Sequence, residues 1–108
     1  MVDGDQWMVG RAEPVTVGIL RVRLRLPSRT LKEKRAIVKS VVERLRTRFN
    51  ASVAEIDDLD SPGMTTIGAA CISNDSSHAD AMLQSIAGTI REWRLDAEVL
   101  EIETELIA

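Results

Sequence analysis

Residues 20–26 read Leu20-Arg21-Val22-Arg23-Leu24-Arg25-Leu26, an unbroken alternation of apolar and cationic side chains. A period of two places the four apolar residues on one face of a strand and the three arginines on the other. The strand reaches back to Val15 and stops at Pro27, which has no N–H to give a ladder. The C-terminal stretch 97–107, AEVLEIETELI, has a matching pattern. Leu100, Ile102 and Leu106 fall on one face, and Glu101, Glu103 and Glu105 on the other. An arginine stripe and a glutamate stripe are what cross-strand pairing between neighbours selects. The first and last strands are therefore expected side by side.

Between them lie two helices and two further strands. Thr30 with Glu33 makes a capping box, and Leu31, Val38, Val41, Val42, Leu45 and Phe49 recur on one helical stripe. Asn50 suits the left-handed position that ends a helix. Residues 51–57 and 64–73 read as strands, separated by the turn chemistry of DLDSPG. In the second of these strands Gly68, Ala69, Ala70 and Cys71 are all small, which suits close approach by helices. A second helix spans about Ser76 to Arg94, with Ala79, Met82, Leu83, Ile86, Ile90 and Trp93 on its stripe and Ser77 with Asp80 as a second capping box. The order is βαββαβ. Right-handed crossovers place both helices on one face of a four-stranded antiparallel sheet, and strand order 4-1-3-2 gives a ferredoxin-like α+β fold. Leu24, Val38, Leu45, Ile86 and Ile102 are expected in its core.

At 108 residues the chain fits one domain. Residues 15–108 form it, and residues 1–14, which lack periodicity, read as a mobile N-terminal extension carrying Trp7, Met8 and Val9. With no bilayer-length apolar run, no secretory leader and a single cysteine, Cys71, the chain is expected in the cytoplasm.

The net charge of −3 conceals a division. Residues 21–48 hold eleven of the fourteen Lys and Arg and carry +9, whereas residues 49–108 carry −10. Such asymmetry points either to an acidic partner such as nucleic acid or to neutralisation within the fold. Three candidate sites follow. The stripe Arg21, Arg23 and Arg25 could face RNA, but sheet-type readers stack bases on exposed aromatics, and this chain has no Tyr, one Phe and two Trp, none on an expected strand. Ion pairing with the glutamates is the better reading. The start of the first helix is the second candidate. Arg29, Lys32, Lys34 and Arg35 crowd the positive end of the helix dipole, and Lys39 and Arg46 extend the track along one flank. A phosphate backbone would relieve that crowding. Lys34 falls on the apolar arc between Val41 and Leu45, where its stem could instead snorkel along the core edge. The third candidate, Asp57, Asp58 and Asp60, reads as a turn rather than a metal loop, since Pro62 interrupts the calcium spacing.

His78 and Cys71 alone make no zinc site. No catalytic triad stands out, and the loop PSRT before the first helix lacks the glycine of acyl-phosphate hydrolases that share this element order. The chain is thus expected to be no enzyme and to need no cofactor or metal, and no small-molecule substrate is identified; a phosphate-ester or acyl-phosphate hydrolase, supported by Arg29 alone, is the last-ranked alternative.

The segments VGILRVRLRLP (17–27), LKEKRAIVKSVVERLRTRFN (31–50), SVAEID (52–57) and ISND (72–75) resemble the YlxP family of small bacterial domains of unknown function. The resemblance implies a ferredoxin-like fold and a cytoplasmic protein without established enzymatic activity. It also implies, through the neighbourhood of translation and ribosome-maturation genes, a role near RNA or the ribosome. One segment departs: where the family often carries an aromatic and basic stretch of the type QDLWQR, this chain has DDLDSPGM (57–64). Two functional expectations result. One is a non-catalytic module that binds RNA or ribosomal phosphate backbone through Arg29, Lys32, Lys34, Arg35, Lys39 and Arg46. The other is a homodimeric protein-interaction domain without nucleic-acid binding, using open strand edges and the small residues Ala81, Ser85 and Gly88.

Overall fold

A computed structural model describes residues 15–93 and 96–107. The expected extension, residues 1–14, lies outside the described residues. The elements are β1 (Thr16–Arg25), α1 (Leu31–Arg48), β2 (Ser52–Asp57), β3 (Met64–Ser73), α2 (Ser76–Glu92) and β4 (Glu98–Ile107). All strand pairs are antiparallel, and the sheet order is β2-β3-β1-β4. This is the ferredoxin-like arrangement that the alternating strands require.

The alternation of β1 becomes its burial pattern. Leu20, Val22, Leu24 and Leu26 are buried under the helices, and Arg21, Arg23 and Arg25 lie on the open face. Leu24, Val38, Leu45 and Ile86 are in the core as expected. Ile102 is only half-buried against it, because β4 is an edge strand that the helix layer covers in part.

Small residues in the sheet serve two faces. Gly18 lets α2 approach, since a Cβ there would meet Cys71 Sγ at 3.0 Å and Leu83 Cδ1 at 3.1 Å. Gly68, expected beneath a helix, faces the other way. Its missing Cβ makes room for Ile56, whose Cδ1 would lie 3.0 Å from it.

The helix ends differ from expectation in detail. Thr30 caps α1 by accepting from Glu33 N at 3.1 Å, and its hydroxyl donates to the Glu33 carboxylate at 3.1 Å. The helix stops because Phe49 turns extended (φ −123°, ψ 144°), not because Asn50 becomes left-handed. Asp75, rather than Ser77, caps α2, accepting from Ser77 N at 2.9 Å. A short acceptor at this position satisfies an otherwise orphaned N–H.

The ladder between β1 and β4 contains a bulge. Arg23 stands opposite Glu101 and Leu24 opposite Val99, so Leu100 is the extra residue. Strict alternation would place Leu100 with Ile102. Instead half-buried Val99 takes the inward position, and Leu100 is 36% exposed. The slip also brings Glu98 opposite Arg25 on the open face.

Candidate nucleic-acid interface

The two basic regions of the sequence meet different fates. On the open sheet face the arginines are answered by carboxylates. Arg25 Nη1 lies 3.0 Å from Glu98, and Arg21 Nη1 lies 3.9 Å from both Glu103 and Glu105. Arg23 turns away from Glu101, its cross-strand partner, and donates to both oxygens of Asp58 at 3.1 and 3.3 Å. Asp58 adopts a left-handed backbone (φ 60°), which Asp tolerates better than most residues. Its carboxylate also accepts from Thr66 Oγ1 at 2.6 Å. The Thr66 hydroxyl first, and then the Arg23 guanidinium, hold that carboxyl below the usual aspartate range. The aspartates at the end of β2 and just beyond it thus lead into a turn: the Asp58 carbonyl accepts from Ser61 N at 3.1 Å, and Asp57 Oδ1 from Asp58 N at 2.7 Å. Among the described residues no group of three or more His, Cys, Asp and Glu is placed to hold a metal ion.

On α1 the six expected binding residues separate. Lys34 leaves the group. Its side chain is 1% exposed, and Nζ lies 2.9 Å from Glu55 Oε2. The ammonium also donates to the Asp58 carbonyl and, at 3.3 Å, to the Leu59 carbonyl. Glu55 in turn accepts from Thr65 Oγ1 at 2.6 Å. A buried ammonium survives only with such partners, and a cation committed in this way cannot meet a phosphate in solvent. Arg46 is exposed but partly committed, donating from Nε and Nη2 to the Val53 carbonyl at 3.1 and 2.7 Å. Arg29, Lys32, Arg35 and Lys39 are exposed.

Further cations that were not expected at the site extend it. Along the outer side of α1 runs a shallow trough of about 650 Å³ lined by Lys39, Ser40, Glu43, Arg44, Arg48 and Trp93 among others. The Arg44 guanidinium lies over the Trp93 ring, 5.4 Å from its centroid, and Arg48 sits 5.8 Å from the Phe49 ring centroid. Among the described residues no carboxylate oxygen lies within 4.0 Å of the charged nitrogens of Arg29, Lys32, Arg35, Lys39, Arg44, Arg46 or Arg48. The positive excess of residues 21–48 is thus concentrated on α1, while the sheet neutralises its own.

Two loop contacts hold the start of α1. Leu26 N donates to the Gly63 carbonyl at 2.8 Å, and Ser28 Oγ to the Pro62 carbonyl at 2.7 Å. Together with Lys34 they bind the β1–α1 connection to the β2–β3 turn, so the basic flank is carried on a fixed element.

Residues 17–104 match the model of a protein family described as "Protein of unknown function (DUF503)". This chain belongs to the DUF503 family. It is 34% identical over 61 residues to the "Uncharacterized protein YlxP" of Bacillus subtilis (strain 168), a match spanning 56% of this chain and 66% of that protein. The DUF503 chain also superposes on "De novo designed protein Foldit4" with a TM-score of 0.53 at 15% identity, over 87% of this chain and 97% of the designed one. That likeness speaks to the fold alone. No helix among the described residues is long and apolar enough to cross a membrane.

Proposed function

We propose that this DUF503 chain is a cytoplasmic, non-catalytic module that binds the phosphate backbone of RNA through α1, with the RNA of the ribosome as the class the family resemblance implies. One observation carries the reading: seven exposed cations on and just before α1 have no carboxylate partner among the described residues, while the arginines of the sheet do. Backbone recognition needs cations held in register and little else, because phosphate contacts position a nucleic acid without reading its sequence. Trp93, with the Arg44 guanidinium over its ring, contributes an apolar edge to the trough that Lys39 also lines.

The test is a titration of labelled ribosomal RNA fragments at several salt concentrations. Lys32, Arg35 and Lys39 are changed together to Gln, and Lys34 is left in place because its replacement would disturb the fold. Each cation–phosphate interaction removed should flatten the slope of log K against log salt by roughly 0.7 to 0.9. The triple variant is expected to bind more weakly on all fragments, with a slope shallower by about 2 to 3. Equal binding by a folded triple variant would replace this reading with that of an interaction domain indifferent to RNA.

A further inference from the structure

We propose that the outer edge of β4 binds an extended peptide in which arginine or lysine alternates with apolar residues, adding a fifth strand to the sheet. This surface lies on the sheet, apart from the basic helix, and is independent of RNA binding.

Among the described residues β4 pairs only with β1, so the opposite side of a ten-residue strand offers its backbone groups to a further strand. Its side chains define what that strand must be. Glu98, Glu101, Glu103 and Glu105 line the open face, each opposite a β1 residue of that face. Arg25 serves Glu98, and Arg21 is divided between Glu103 and Glu105 at 3.9 Å from each. Arg23 is taken by Asp58, which leaves Glu101 with no cation within 4.0 Å among the described residues. Glu101 and Glu103 therefore crowd each other, and the Glu101 carboxyl is pushed above the usual glutamate range by its hydrogen bond and repulsion with Glu103. On the opposite face Val99 and Ile102 are half-buried, and Leu106 is 43% exposed. A new strand bearing cations on one face and apolar side chains on the other would answer both rows. β1 already pairs with β4 in this way, using the alternation RVRLR of residues 21–25.

A second copy of β4 is a poor occupant. When two identical antiparallel strands pair about a two-fold axis normal to the sheet, residues directly opposite share a face. Glutamate would then meet glutamate along the whole open face, which is unfavourable. The same charges that repel a second copy attract a basic strand, so the edge discriminates by sign.

The experiment uses the full chain and a fluorescein-labelled eight-residue peptide of repeating Arg-Val, followed by anisotropy. Saturable binding is expected. It should weaken about tenfold or more when alternate backbone nitrogens of the peptide are methylated, and similarly when the arginines are gathered into one block. Glu101→Lys with Glu103→Lys should do the same, while the Lys32, Arg35 and Lys39 triple variant should bind the peptide as the parent does. Amide exchange of β4 in the unaltered protein should slow at saturating peptide, a readout that needs no variant to fold. Equal binding of the methylated or blocked peptide, or unchanged exchange in β4, would overturn the proposal.

Discussion

Replacing Lys34 by Met tests whether a cation in the apolar arc of α1 holds the domain together. Lys34 is 1% exposed, and its ammonium meets the Glu55 carboxylate at 2.9 Å as well as two carbonyls of the turn after β2. Methionine fills a similar volume, so little cavity forms and the cost is electrostatic. Removing one partner of a buried pair costs about 3–5 kcal/mol, because the other charge is left without compensation. Glu55 is 18% exposed and keeps the Thr65 hydroxyl, so water can reach part of it. The lower end, about 3 kcal/mol, is therefore expected. Out of a typical total of about 5–15 kcal/mol this is a large fraction, and it corresponds to a fall in melting temperature of more than about 10 °C. Urea unfolding followed by far-ultraviolet circular dichroism measures it. The double variant Lys34→Met with Glu55→Gln removes both charges and keeps an acceptor for Thr65. It should recover most of the loss and lie within about 1–2 kcal/mol of the parent. A Lys34→Met protein within about 1 kcal/mol of the parent, or a double variant as unstable as the sum of the singles, would refute the buried-pair argument.

Three further outcomes are expected. Leu45→Ala, at a fully buried position, should cost about 2–5 kcal/mol in the same urea assay through lost transfer energy and a cavity. Gly18→Ala should cost about 1–3 kcal/mol, because the added methyl would press on Cys71 and Leu83. Asp58→Asn, which keeps a residue tolerant of the left-handed backbone, should lower the urea midpoint at neutral pH. A carboxyl depressed in the folded state stabilises it above the unfolded-state value and loses that contribution as pH falls through the folded value. The gap between parent and variant should therefore close as pH is lowered from about 4 downward. A gap that stays constant to low pH would show that the Asp58 charge is not what Arg23 and Thr66 hold.

The pairing of β1 with β4 was legible because two strands at opposite ends of the sequence each carry a one-sided pattern, and the patterns have opposite charge. Lys34 was legible as an anomaly, a cation on an apolar arc. A signal for its partner existed too: Glu55 shares the parity of Val53 in β2, which points it into the helix layer beside Thr65. The bond between Arg23 and Asp58 left no such trace. It depends on a left-handed turn that brings a loop carboxylate across β3, and periodicity carries no information about turn geometry. Arg44, Arg48 and Trp93 were not legible as a group because Trp93 lies at the end of α2, and only the packing of the two helices brings it beside α1.

The bulge at Leu100 bears on how this strand can change across generations. With Leu100 set aside, Glu98-Val99 and Glu101-Ile102-Glu103-Thr104-Glu105-Leu106 form one unbroken two-residue period, so the strand holds a nine-residue pattern in ten positions. A lineage that lost Leu100 would keep every other side chain of β4 on its present face, and one that regained it would do so again. Loss of a single residue from Ile102 to Thr104 would instead shift the parity of everything beyond it and turn Glu105, and for Ile102 also Glu103, toward the helices. Single-residue length variation in this strand is therefore absorbed at the Val99–Leu100 pair, since loss of either leaves one apolar residue between Glu98 and Glu101.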